Sequence, residues 1–320
     1  MIRSQKDLSD LTSNELVDFS YLFDRSHFKA ILAEACPQMK LYDSVNDLYN
    51  FPTTAIPILL NPQDLATEFL YDRVLAKPAE WRVSFDAFLN SQTPRGISST
   101  SPIIIQIHNV LLEFPLSYDT TSFVRNFGRI FRFREDARRL AATILFEISN
   151  KFSPNQRPRS KIALHAFFGA HLRTASDAMK AGWPGYDGQA TAYLAQAAHH
   201  NLSTIYVASG SKPDLLRFRS DAALQNLTMI TKEDLLSGAD LEALGRLTWD
   251  QQALVDFEVL LKSSQFGGIE QSSFAWKIAL RRHLLSKTDD YLSGAQALED
   301  EFSVIYGSGS TGYFPLAMWP

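Results

Sequence analysis

Cysteine is almost absent from this 320-residue chain: Cys36 stands alone, so no intrachain disulfide can form. That fits a reducing compartment or a domain packed well enough to need no staple, and does not choose between them. Long apolar runs are missing too. The most apolar stretch, "SPIIIQIHNVLLEF", is broken by Gln106, His108 and Asn109 and falls short of the roughly 18 apolar residues of a membrane helix. The opening "MIRSQKDLSDLTSNEL" has neither an apolar core nor a small-residue cleavage site, so it does not read as a secretory signal. As given, the chain reads as soluble and cytoplasmic; a signal or anchor ahead of it would open the secretory pathway. An excess of either charge is lacking as well, since 31 basic against 35 acidic residues leave a net charge of −4 and a pI near 6.0. That balance does not draw a whole molecule to nucleic acid or to an anionic membrane, so nucleic acid is not an expected partner and any phosphate-binding surface must be local.

Several reaction motifs are also missing: there is no D-x-D, no Walker loop, no G-x-S-x-G and no H-E-x-x-H. No metal site is expected. The acidic run Glu299-Asp300-Glu301 reads as a solvated helix face, and His199-His200 as the C-terminal cap of an alanine-rich helix, where cations suit the dipole. Asn201-Leu202-Ser203 and Asn226-Leu227-Thr228 match the glycosylation acceptor triplet, a pattern that arises by chance in a chain rich in Asn, Ser and Thr.

What is present is enough apolar content, 45%, to bury a sizeable core, over a length that suggests two lobes. Residues 8–35 have helical spacing, "TAIPILL" (54–60) and "PIIIQI" (102–107) look like buried strands, and a helical pattern runs to about residue 149. The polar, proline-bearing stretch 149–161 is the expected linker. It divides an N-terminal lobe (1–150) from a C-terminal lobe (151–320). After it, strands at 162–172, 203–208, 227–230 and near Phe266 alternate with helices at 188–200, 212–219, 251–264 and 273–286, the pattern of βαβ units and a parallel sheet. In such sheets ligands bind outside the carboxyl ends of the strands.

"FFGAHLRTASDA" (167–178) puts His171 and Arg173 at one such end, on the same side if the strand extends that far. Arg173 offers a planar fork of donors for a phosphate or carboxylate, and His171 a further hydrogen bond or a proton. The alternative is a structural ion pair between Arg173 and Asp177, with His171 capping the loop. "FGGIEQSSFAWKIALRR" (266–282) opens a helix at Ser272 or Ser273 just after Gly267-Gly268, an anion site by geometry or simply a capped helix. Lys277, Arg281 and Arg282 further along it read as a solvated face. Asp256, set in an apolar helical run, must pair within the fold or accept hydrogen bonds from a ligand. The aromatic residues of "GWPGYDG" (182–188) fit a shaped loop beside the His171 strand, or ordinary packing. His171 and Glu270 are the candidate bases.

Three segments in order, "HLRTASDA", "TIYVASGS" and "ALVDFEVLLKSSQFGGIEQSSFAWKIALRR", resemble the nucleotide-binding half of the GDP-fucose protein O-fucosyltransferases, in particular their divergent fungal branch. The likeness spans about residues 160–285, with weaker similarity at 21–39 and in the closing "MWP". The resemblance implies an α/β fold of GT-B type, with two Rossmann-like lobes and the donor gripped mainly by the second. It implies that Arg173 with His171 holds the diphosphate, that Ser272, Ser273 and Phe274 hold phosphates from the helix start, and that Asp256, Ser209 and Gly210 lie near the guanosine. It further implies an inverting reaction with no metal and no cofactor, GDP-fucose being a co-substrate and the acceptor a hydroxyl on a protein or small molecule. The family's glycine-rich turn after its first strand has no counterpart, the first glycine being Gly96. The first lobe is therefore either incomplete at its start or remodelled in its acceptor-facing loop. Two other readings keep the scaffold: a cytosolic fungal group transferase using, for example, an aminoacyl donor, and a non-catalytic nucleotide- or protein-binding module.

Overall fold

The structure is a computed structural model. It describes residues 16–35, 129–152, 161–283, 285–286 and 299–307, with shorter pieces at 2–3, 37, 58–60, 69–71, 74–75, 81–93, 103 and 105–107. Cys36, Gly96, residues 8–15 and 153–160 and the closing "MWP" lie outside them.

In the N-terminal part, β1 (Ile2–Arg3) pairs antiparallel with β2 (Leu16–Val17), and a short 3-10 turn at Phe19–Tyr21 leads into α1 (Arg25–Ala35). The two apolar runs expected to be strands meet: β3 (Ile58–Leu60) pairs in parallel with β6 (Ile105–Ile107), across the small hairpin of β4 (Phe69–Tyr71) and β5 (Val74–Leu75) and helix α2 (Trp81–Gln92). Helix α3 (Glu135–Phe152) follows. Its buried residues Ala137, Leu140, Ala141, Ile144 and Ile148 fall on one stripe of a 3.6-residue period, with acids in the first turn and Lys151 in the last, as the helix dipole favours.

The C-terminal part is a three-layer α/β unit. Its strands β7 (Phe168–His171), β8 (Thr204–Ala208), β9 (Thr228–Ile230), β10 (Gln265–Ile269) and β11 (Ser303–Tyr306) form one five-stranded parallel sheet in the order β11-β10-β7-β8-β9. Between them run α4 (Ser176–Lys180), α5 (Tyr186–His199), α6 (Lys212–Leu224), α7 (Lys232–Leu235), α8 (Gly238–Gly245), α9 (Trp249–Leu260) and α10 (Ser273–His283). Side chains alternate across the sheet with a period of two. Phe168, Ala170, Ile205, Val207 and Met229 pack under α5 and α6, while Tyr206, Ala208, Ile230 and Phe266 pack under α3, α9 and α10. Helix α3 thus lies in the same core as α9 and α10, although it precedes the polar stretch at 149–161.

The sheet's order contains a reversal. From β7 the chain moves outward through β8 to β9, then returns to lay β10 and β11 on the other side of β7. Between β7 and β10 successive crossovers therefore leave in opposite directions, which makes the carboxyl ends of those two strands the switch point at which doubly wound sheets bind ligands.

Several expected boundaries shift for physical reasons. The strand expected over 162–172 is confined to β7, because the preceding residues turn about His165 (φ 59°), with Ala163 N donating to Lys262 O and the Ser264 hydroxyl receiving Ala166 N. The helix expected over 251–264 stops at Leu260, where the buried Arg282 guanidinium donates to the carbonyls of Leu260, Leu261 and Ser263. Gly267 and Gly268, expected in a turn, lie inside β10, and the turn is made by Glu270 and Gln271. A β-carbon on Gly268 would collide with Ala275 Cβ of α10, and one on Gly267 would come within 2.9 Å of the Phe168 and Tyr193 rings. These glycines let α10 and α5 sit close on opposite faces of the strand. Asn201 and Asn226, the residues of the two acceptor triplets, take positive φ (55° and 59°) just past α5 and α6, a left-handed exit that asparagine tolerates. The acidic run at 299–301 is a turn rather than a helix face: Asp300 accepts from Phe302 N and Ser303 N, and its other oxygen meets His283 Nδ1 at 2.7 Å.

Candidate functional site

The carboxyl ends of β7 and β10 bring together residues about a hundred positions apart. His171 ends β7 opposite Ala208, and the ladder continues one step further as Leu172 N donates to Ala208 O at 2.9 Å. After β10, the Ser272 carbonyl accepts from Trp276 N, and its hydroxyl lies 3.4 Å from Ala275 N. Ser272, not Ser273, is therefore the N-cap of α10. The first-turn amides of Ser273 and Phe274 are the ones a helix leaves without intrahelical acceptors. The two ends touch: His171 Nδ1 lies 3.4 Å from Ser272 Oγ, and the His171 ring packs against the Phe274 ring at 4.6 Å between centroids. Burial, and then the nearby Arg173 charge, pull the His171 pKa down to about 3. At neutral pH the group is an uncharged imidazole with one N–H to give, and a weak base.

Arg173 lies just beyond the strand. Its Nη1 donates to Asp177 Oδ1 at 2.8 Å and its Nη2 to Asp177 Oδ2, a bidentate pair between the strand end and the start of α4. Burial opposes the Asp177 charge, but the guanidinium outweighs it and holds the carboxyl below the usual carboxylate range. Asp177 takes two of the five N–H donors of a guanidinium, and the remainder have no hydrogen-bond acceptor among the described residues. Of the stretch 182–188, only 182–185 precede α5 as a turn, and its Trp183 ring lies 5.6 Å from the guanidinium carbon. The ion pair anticipated as the structural alternative is thus real, and it leaves part of the fork open.

The loop after β8 shares this edge because Ala208 pairs with His171. In it, Ser209 Oγ accepts from Ser211 N, and Gly210 lies against the Trp249 indole, 3.3 Å from where its β-carbon would be. Asp256 does not join them. It is buried with both oxygens occupied, Lys232 Nζ at 2.6 Å and Tyr206 OH at 2.7 Å, so it is the internal pair rather than a ligand-facing acceptor. Burial works against the Lys232 ammonium, yet the Asp256 carboxylate raises its pKa above that of an ordinary lysine. Glu270, the other candidate base, is buried with its carboxyl packed on Gly307, where any side chain would collide with it, and Gln271 Nε2 donates to its Oε1.

Lys277 and Arg281, expected on a solvated face, are half-buried on the line that runs down α10 from Ser273. Burial, then Arg281, lower the Lys277 pKa to about 8, and the Arg281 guanidinium lies 5.5 Å from the Phe257 ring centroid. Arg282 is fully buried, and among the described residues it donates to main-chain carbonyls and Ser303 Oγ. Two site residues escaped sequence reasoning: Gln189 and Tyr193, one turn apart on α5. The only available sign was a polar Gln189 on the buried stripe of an alanine-rich helix. Elsewhere, a groove of about 310 Å³ between α5 and α6 is lined by Tyr186, Leu194, Asp187 and Asp221. Its two carboxylates suit an anion poorly.

The switch point of this doubly wound parallel sheet is thus edged by a guanidinium, a neutral imidazole and a helix N-terminus, and it is at such carboxyl edges that α/β sheets in general bind ligands. No protein-family model and no curated protein matches the chain. Among solved structures, POFUT1 in complex with GDP aligns over 92% of this chain and 86% of its own, with a TM-score of 0.46 and 10% identity. POFUT1 in complex with GDP-fucose aligns over 92% and 85%, with a TM-score of 0.48 and 10% identity. Among the described residues no helix is long and apolar enough to cross a membrane.

Proposed function

We propose that the switch point between β7 and β10 holds the diphosphate of a guanosine nucleotide sugar, and that the protein is an inverting, metal-independent glycosyltransferase moving fucose from GDP-fucose to a hydroxyl of a protein or small molecule. The observation that carries this reading is the contact of His171 with Ser272 and Phe274. It brings the H-x-R strand end and the first-turn amides of α10 together. In this reading the free N–H groups of Arg173 and the amides of Ser273 and Phe274 bind the phosphate oxygens. The imidazole adds a neutral donor. As the bond between the sugar carbon and the phosphate oxygen breaks, charge grows on departing GDP, and these fixed donors stabilise it in place of a cation. Ser209 and Gly210 lie on the side where the nucleoside would extend, while Asp256 acts only by bracing β8 against α7 and α9.

The test is thermal unfolding with GDP, GDP-fucose and UDP-sugars. A ligand that binds only the folded state adds about 2.7 kcal/mol of stability at a hundred times its Kd. GDP and GDP-fucose are expected to raise the melting temperature, UDP-sugars to leave it unchanged, and Arg173→Ala to abolish the rise. No shift at millimolar GDP would overturn the reading. The closure of Arg173 on Asp177 favours a second reading, a binding module without turnover. Single-turnover hydrolysis of GDP-fucose separates the two.

A further inference from the structure

Past Leu172 the chain after β7 has left the sheet, yet Arg173 must hold a defined position if its guanidinium is to meet a phosphate. One buried carboxamide supplies the missing main-chain partners. Gln189 Oε1 accepts from Arg173 N at 2.9 Å, and Gln189 Nε2 donates to Arg173 O at 3.0 Å and to Pro184 O at 2.6 Å. That uses the donor capacity of the amide in full. It ties both main-chain groups of Arg173 to the loop that carries Trp183, the ring beside its guanidinium. One turn along α5, the buried Tyr193 hydroxyl donates to His171 O at 3.0 Å. Residues four apart share one helix face, so a single face of α5 grips the main chain of both members of the H-x-R pair.

We infer that Gln189, with Tyr193 beside it, is a positioning residue of the anion site, setting where the Arg173 fork points without touching the ligand. The inference rests on the reading of Arg173 as the diphosphate-binding group. Displacement of a binding group by about an ångström is enough to lose about tenfold or more in its contribution.

The experiment is titration calorimetry with GDP on the wild-type chain, Arg173→Ala and Gln189→Met, the last keeping the volume of the side chain while removing its hydrogen bonds. It is run well below the melting temperature of each variant. There a purely structural weakening leaves the folded fraction, and hence Kd, unchanged. Gln189→Met is expected to raise the Kd for GDP about tenfold or more. A wild-type Kd in Gln189→Met, with binding lost in Arg173→Ala, would overturn the positioning role and leave the site reading standing. Absence of GDP binding by the wild-type chain would overturn both. Should Gln189→Met fail to fold, Tyr193→Phe, which removes only the hydroxyl given to His171 O, carries the comparison: a raised Kd supports the α5 grip and an unchanged one overturns it.

Discussion

His171 and Arg173 stand two residues apart and meet opposite fates. The imidazole is buried beside Phe274 and loses its charge to burial, whereas the guanidinium pairs with Asp177 and stays partly open. The first of these has a measurable consequence. In the unfolded chain His171 takes up a proton near its ordinary pKa of about 6.5, while in the folded protein it stays neutral down to about pH 3. Above pH 6.5 the group therefore does not affect stability. Between 6.5 and 3 the unfolded state binds the extra proton, and stability falls with pH by up to about 1.4 kcal/mol per unit. His171→Gln is expected to flatten the loss of stability between about pH 6.5 and 5, measured by urea unfolding; an unchanged slope would contradict the buried neutral imidazole. Among single residues, the sequence shows which side chains carry charge but not which partners close them. Arg173 and Asp177 were legible as a pair because they lie four residues apart. The closure of Asp256 by Lys232 was not, because that lysine comes from another helix, 24 positions away.

Helix α10 is the element on which the site depends. Its start was legible, since a serine before an apolar period marks an N-cap and the two preceding glycines mark close approach. What could not be read was the role of each glycine. Gly268 faces Ala275 and sets how near the helix comes to β10, so Gly268→Ala must push α10 off the sheet. Overpacking of this kind costs about 1–3 kcal/mol. The variant is expected to melt lower and to lose most of its GDP-induced shift, because the Ser273 and Phe274 amides move away from His171. A lowered melting temperature with the full GDP shift would show that the position of α10 does not matter for the ligand. The "LRR" ending shows the limit of local reading. Arg281 and Arg282 are neighbours of the same type, yet one lies over the Phe257 ring and the other is wholly enclosed by carbonyls of the α9–β10 connection and the entry to β11. The α9–β10 connection and the entry to β11, which no pattern announced, together create that enclosure.

Across the whole molecule, Tyr21 docks on the start of α9 and Phe133 on its second half. Tyr21 OH meets Thr248 Oγ1 at 2.7 Å and donates to Asp250 Oδ1 at 2.9 Å, and Gln251 Nε2 donates to Tyr21 O. Rings then run from Phe133 to Phe257 and from Phe257 to Phe274, edge to face at 5.2 and 5.4 Å, ending on His171. The alternation of strands and helices made the parallel sheet legible. The strand order was not, because the return of the chain to the far side of β7 is a non-local choice that neither β9 nor β10 encodes by itself. That return sets β10 beside β7 and makes the switch point at which the anion is proposed to bind. The most direct measurement is the position of the diphosphate in a crystal grown with GDP. Phosphate oxygens are expected within hydrogen-bond distance of the Arg173 guanidinium and of the Ser273 and Phe274 amides. GDP bound elsewhere, with Arg173 still closed on Asp177 and the start of α10 untouched, would contradict that placement.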